Sequence, residues 1–331
     1  MRAAIFVTAA VLTFVLVRAV VEDEGLDERV AERLEEVERT EPDPLVRDIT
    51  PYVGLGTWVD AYDYGPAYQT AGHSPSVTPD DLAAMDDAGV RTVYLQVSRD
   101  DPRSPDGFVD RELLEQFVIG AHERGMSVVG WYLPTFASVT TDVGHLQDLL
   151  EFEVDGQRLD GVGVDIEFTE AVPNPAIRNA RLIRLSERLD ELAGDTPLGA
   201  IVLPPVLTEV VNPDYWPLFP WQEVAPHYDV WLPMSYWTIR TPESGYRDPA
   251  AYQGQNVDRL LADLGADGTD VVVHGAGGIG DEVTGAQLVT FAHVLAEQGA
   301  VGGSIYDWAT LSEANRTLLG RLFADYPEVP G

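Results

Sequence analysis

The chain contains no cysteine and no lysine; all 21 of its basic residues are arginine. Without cysteine there is no disulfide, no thiolate zinc site and no cysteine nucleophile. Without lysine there is neither a Schiff-base amine nor a phosphate-loop lysine. Positive charge is scarce altogether, because 55 Asp and Glu oppose those 21 arginines and leave a formal net charge of -34. Such a chain repels phosphate, so nucleic acid is not expected as a partner. What is present is core material: 45% of the 331 residues are hydrophobic and 9% aromatic. That excludes a disordered protein and suffices for one large domain or two average ones.

The charge excess carries a first prediction. Self-repulsion should be strong at low ionic strength and screened as salt rises. The melting temperature should therefore be higher in about 1 M NaCl than in about 10 mM, where the Debye lengths are roughly 3 and 30 Å. A flat or falling dependence would show that the acids are already well separated.

The N-terminus sets the expected compartment. After Arg2, residues Ala3 to Val17 are uninterruptedly apolar, and Arg18 and Ala19-Val20-Val21 follow. Fifteen residues suit the core of a signal peptide; with Arg18 snorkelling, the run becomes a single anchor. Residues 1–21 are thus expected to be a signal or anchor, with Arg2 inside and the rest exported to the cell surface or beyond. The membrane is expected to matter only through this segment. Twelve acids between Glu22 and Asp48 mark residues 22–50 as an acidic linker, leaving 51–331 as the folded domain.

Within that domain, short β-branched or aromatic runs alternate with longer amphipathic segments. The runs are Tyr52–Val59, Val90–Val97, Met126–Leu133, Leu159–Glu167, Pro197–Leu203, Tyr228–Tyr236, Asp270–His274 and Val301–Asp307. Helical periodicity marks Asp110–Arg124, Ala176–Leu192, Ala250–Leu264, Gly285–Gln298 and Leu311–Phe323. Gly89, Gly125 and Gly299 punctuate helix ends just before strands. Eight repeats over about 280 residues fit an α/β fold, a single (β/α)8 TIM barrel, better than an open doubly wound sheet.

A barrel of this kind keeps its active site where strands end. The residues there are Trp58, Asp60 and Asp63 on the first strand, Gln96 on the second, and Trp131 and Tyr132 on the third. Asp165 and Glu167 end the fourth, Tyr236 and Trp237 the sixth, and Asp307 and Trp308 the eighth. Carboxylates among indoles and phenols suit a carbohydrate, whose C–H faces stack on aromatics while its hydroxyls need acceptors. The expected partner is therefore a glycan; no metal, cofactor or second subunit is called for.

The sharpest signal is Leu159-Asp160-Gly161-Val162-Gly163-Val164-Asp165-Ile166-Glu167-Phe168. Residues two apart on a strand share a face, so Gly163, Asp165 and Glu167 should all point into the lumen. Carboxylates there are costly unless chemistry needs them. Glu167, last in the row, is placed to have a raised pKa and donate a proton, with Asp165 raising it further by like charge.

This segment resembles the strand-four motif Asp-Gly-x-Asp-x-Asp-x-Glu of the chitinase-like family 18 glycoside hydrolases. Asp160, Gly161, Asp165 and Glu167 match, and Gly163 replaces the middle Asp. The resemblance implies that Glu167 protonates the leaving oxygen while Asp165 orients an N-acetyl group that attacks from within the substrate. Pro233-Met234-Ser235-Tyr236 is similar to the family's strand-six segment, which implies that Tyr236 holds that group; Trp237 stands where an Asp commonly follows. Trp308 stands one residue late for the family's strand-eight Trp. Two other readings remain open. Asp-x-Glu also resembles the family 25 muramidases of peptidoglycan, with Asp60 as the strand-one acid; Asp60, Asp63 or Asp307 would then supply a second carboxylate. A sugar-binding barrel that no longer cuts is the other.

Two features are read as incidental. Gly275-Ala276-Gly277-Gly278-Ile279-Gly280 spells G-x-G-x-x-G, but Asp281-Glu282 follow at once and would repel a pyrophosphate. It is expected to be a loop over the cleft, with His274 a hydrogen-bonding residue at a strand end. The Pro-rich stretch from Leu203 to Trp221 either walls the cleft with Trp216 and Trp221 or caps the barrel.

Overall fold

The computed structural model describes residues 46–265, 271–324 and 326. The expected signal or anchor and most of the acidic linker lie outside these residues, as does Asp270. Eight parallel strands close into a barrel: β1 (Gly54–Val59), β2 (Thr92–Ser98), β3 (Ser127–Tyr132), β4 (Gly161–Ile166), β5 (Leu198–Val202), β6 (Val230–Ser235), β7 (Val272–Ile279) and β8 (Gly302–Tyr306). Each pairs with its sequence neighbour, and β8 closes on β1 with Gly54 opposite Gly302. The expected TIM barrel is therefore what the chain forms.

Seven longer helices among the described residues pack outside: α1 (Leu82–Asp87), α2 (Arg111–His122), α3 (Val139–Glu151), α4 (Pro175–Ala193), α5 (Pro249–Asp263), α6 (Gly285–Glu297) and α7 (Glu313–Phe323). Their starts are chemically marked. Asp110, Ser138, Asn174, Asp248, Thr284 and Ser312 each accept a bond from a free first-turn N–H. The sequence pattern missed α1 and α3. The β5–β6 connection has no long helix, only a π-helical turn at Val206–Val211, a short helix at Trp221–Val224 and a 3-10 turn at Ala225–His227.

The lower lumen is filled by a device of paired sizes. Backbone at Gly56, Gly161, Gly199 and Gly302 leaves room for large rings. A Cβ at Gly56 would lie 2.4 Å from Tyr94, at Gly199 2.8 Å from Tyr52, and at Gly302 2.7 Å from His274. Tyr52 enters from below, before β1, and donates its hydroxyl to the carbonyls of Val162 (3.1 Å) and Pro197 (3.3 Å). The barrel is thus a packed core at its base, and chemistry is left to the top.

Two expectations change here. The glycine-rich run is not a loop over the cleft: Gly275 to Ile279 belong to β7. Its glycines admit neighbouring rings, since a Cβ at Gly277 would sit 2.3 Å from Trp237 and 2.8 Å from Phe291. His274 lies low in the lumen rather than at a strand end. Its ring nitrogens face the Tyr52 carbonyl (2.8 Å) and Ser304 Oγ (3.0 Å), and complete burial lowers its pKa to about 4.

Candidate active site

Asp165 is the last inward residue of β4, and Glu167 follows directly after the strand. Asp165 is only 6% exposed, and its Oδ1 has no hydrogen-bond partner. Burial raises its pKa, the charge of Glu167 raises it further, and Arg99 partly offsets both. Burial also raises Glu167. Arg99 lies over the rings of Tyr62 and Tyr68 and makes no ion pair with Asp165. Both carboxyls are thus biased toward the protonated form.

The departure at Gly163 has a steric basis. A Cβ there would lie 3.0 Å from Ile201 Cδ1 and 3.1 Å from Trp131 Cβ. The space a middle Asp would need is apolar and filled.

Tyr236 closes the site at the end of β6. Its half-buried phenol lies near Asp165, Glu167, Asp307 and Asp60, whose charges raise its pKa beyond the effect of desolvation. Its ring centre lies 5.8 Å from that of Tyr306, whose hydroxyl donates to Asp60 Oδ2. Tyr306 therefore belongs to the site, although the sequence reading favoured its neighbours. Strand parity identifies it, because it is two residues beyond the inward-facing Ser304.

Asp60, Asp63 and Asp307 meet on the β1 and β8 side, with oxygens within 4.8 Å of one another. That spacing suits a cation, yet each carboxylate already has protein partners. Asp60 caps the turn at Tyr62 and Asp63, Asp63 accepts from Asp60 N (3.0 Å), and Asp307 accepts from Thr310 N (2.9 Å). Burial, then the charges of Asp60 and Asp307, push Asp63 up to about 7. At that value the Asp63 carboxyl is partly protonated near neutral pH, which lessens the repulsion within the trio.

Other expected substrate residues are placed differently. Trp58 and Trp131 face the lumen but lie buried in its floor. Trp58 stacks on Tyr94 at 4.5 Å and donates to Ser304 Oγ (2.8 Å), while Trp131 donates to the Tyr94 carbonyl (3.3 Å). The Gln96 carboxamide is occupied by Ala61 N (3.0 Å) and fixes the β1 loop. Tyr132, Trp237 and Trp308 are outside the lumen altogether. Tyr132 bonds Asp142 (2.7 Å) and stacks on His145, both in α3. Trp237 packs on Phe291 of α6. Trp308 packs with Arg316 of α7 near Leu55 and Thr57. Adjacent strand residues point to opposite faces, so Trp131 and Tyr132 cannot both line one cleft; Tyr236 and Trp237 lie past the end of β6, where Trp237 opens a 3-10 turn. Trp216 and Trp221 are likewise buried, the former bonded to Asn179 (2.7 Å), so neither indole walls the cleft.

These features define a TIM barrel with an enclosed acid pair at its mouth. Solved structures share this fold. The C-terminal domain of a putative chitinase from Desulfitobacterium hafniense superposes with TM-score 0.59 at 12% identity, covering 83% of this chain and 99% of that one. A glycoside hydrolase family 18 chitinase from Cycas revoluta, solved with a trimer of N-acetylglucosamine, gives 0.54 at 11% over 82% and 99%. A spore cortex-lytic enzyme of Bacillus megaterium gives 0.54 at 9% over 85% and 75%. At such identities the likeness is one of fold. No protein-family model and no curated protein sequence matches the chain.

Proposed function

We propose that this chain is a glycoside hydrolase acting outside the cell on a glycan that carries N-acetyl groups, with Glu167 as general acid. The observation that carries the reading is the Asp165–Glu167 pair: two enclosed carboxylates at the barrel mouth, one with an oxygen left unpartnered. Glu167 gives its proton to the glycosidic oxygen as that bond breaks. The free Asp165 Oδ1 accepts the amide N–H of the sugar, and the amide carbonyl oxygen attacks the anomeric carbon, steadied by the Tyr236 hydroxyl. Water then opens the cyclic intermediate and returns a proton to Glu167. Asp60 and Asp307 are already engaged by protein donors, which favours the substrate's own amide over either as the second group.

The test is a product screen on chitin oligomers, peptidoglycan and N-acetyl-free glycans. Cleavage is expected only where the scissile unit is N-acetylated. Binding without any cutting would replace this reading by the sugar-binding one, and cutting of sugars without the amide would move the second role to a carboxylate. Export is tested separately: protease added to intact cells should degrade the domain, and full protection would count against it.

A further inference from the structure

At the mouth of the barrel, two guanidiniums of the β2–α2 connection lie on a shared pair of phenol rings from the β1–α1 connection. Arg99 directly follows β2, with its guanidinium carbon 5.2 Å from the ring centre of Tyr62 and 5.7 Å from that of Tyr68. Arg103 lies 4.1 Å from the Tyr68 ring. The rings are tied down: the Tyr68 hydroxyl pairs with Ser104 Oγ (2.7 Å), and Gln69 Nε2 donates to the Tyr62 carbonyl (2.7 Å). The two arginines differ in charge balance. Arg103 donates to Asp101 through Nε (2.9 Å) and Nη2 (2.8 Å), a forked pair. Arg99 has no carboxylate partner among the described residues; its guanidinium makes one long bond, from Nη1 to Gln96 Oε1 (3.4 Å). It is half-buried, and Asp165 feels its charge. A guanidinium stays ionised, so Arg99 keeps a positioned charge and most of its N–H groups uncommitted beside the acid pair. It does so in a chain where 55 acids outnumber 21 arginines.

We infer that Arg99 is a specificity residue that receives a carboxylate of the glycan, carried by a sugar unit adjoining the scissile bond at Glu167. The planar fork matches a carboxylate, and the rings already hold it, so little freedom is lost on binding. The chain as a whole repels anions, so the preference has to be local. Asp101 is taken by Arg103, and Asp63, Asp165, Glu167 and Asp307 all have raised pKa values that bias them toward the neutral form. A phosphate fits worse, because a dianion would meet a single uncommitted cation. The carboxylate has two chemical sources, a hexuronic acid and the lactyl ether of a muramic unit. The inference rests on the glycan-cleaving reading and narrows its substrate from N-acetylated glycans in general to acidic ones.

The probes are oligosaccharides of hyaluronan, which alternate N-acetylglucosamine with a uronic acid, and peptide-free strands of N-acetylglucosamine and N-acetylmuramic acid. Each is used in native and carboxyl-reduced form. Binding is measured to wild-type protein and to Glu167→Gln, and kcat/KM wherever cleavage occurs. The native form of at least one series is expected to bind about tenfold more tightly than its reduced form, the worth of a charge-assisted hydrogen bond. The series that does so identifies the source. Arg99→Gln should abolish the preference, and Arg99→Lys should keep part of it, because the charge survives without the fork. Arg188→Gln, which removes the same charge from an exposed pair on α4, should leave it whole. Equal binding of native and reduced forms in both series, or a preference that survives Arg99→Gln, would overturn the inference. A carboxylate preference that depends on Arg99, with no cleavage of any glycan, would instead remove the hydrolase reading and leave the site standing.

Discussion

Glu167→Gln is expected to lower kcat/KM by about 10²–10⁴-fold on a natural oligosaccharide, the range that general acid catalysis supplies. Gln keeps the size and a hydrogen-bonding head but has no proton to give. The loss should be much smaller on an activated aryl glycoside, whose leaving oxygen departs without protonation. Glu170, an exposed acid three residues further along the same connection, separates charge loss from acid loss, because Glu170→Gln should leave the aryl-to-natural ratio unmoved. The pH profile gives an independent reading. Burial raises both carboxylates, so the pair keeps its proton above the ordinary Glu range, and activity should fall as pH rises through that raised value. In Asp165→Asn the neighbouring charge is gone, so the alkaline limb should move to lower pH while both substrate classes slow. Full activity in Glu167→Gln would sink the mechanism.

The largest expected effect on stability comes from the opposite end of the barrel. Tyr52→Ala should cost about 3–5 kcal/mol, the range for deleting a buried aromatic ring. The reason is the set of glycines around it. A Cβ at Gly161 or Gly199 would already lie within about 3 Å of the Tyr52 ring or hydroxyl, and neither residue has a side chain to move into the void. Tyr52→Phe keeps the ring and loses only the donations to Val162 and Pro197, so about 1 kcal/mol is expected. Denaturant midpoints at unchanged m-value measure both. If the Ala and Phe variants were equally stable, the ring would not be the plug that its packing indicates.

Much of the fold was legible because it is local. Eight short apolar runs separated by amphipathic segments and glycine stops are patterns of near neighbours, and each expected strand overlaps an observed one. Asp165 and Glu167 could be read for the same reason: a two-residue period on one strand fixes their common face without knowledge of any other strand. Helix α1 escaped because it is six residues long, and α3 because Thr, Asp and Gly interrupt its apolar stripe.

What lay beyond the sequence was anything that depends on closure. At the ends of β3 and β6 two aromatics stand side by side, and only the barrel decides that Trp131 and Tyr236 turn inward while Tyr132 and Trp237 meet helices. On β8 the chain leaves the strand at Tyr306, so Trp308 turns to the outer face and Tyr306 takes the place by Asp60. The meeting of Asp60 and Asp63 with Asp307 spans the closing seam. Periodicity reports the direction of a side chain relative to its own strand. Which neighbour it meets is fixed by contacts between segments remote in sequence, and those are set by tertiary packing.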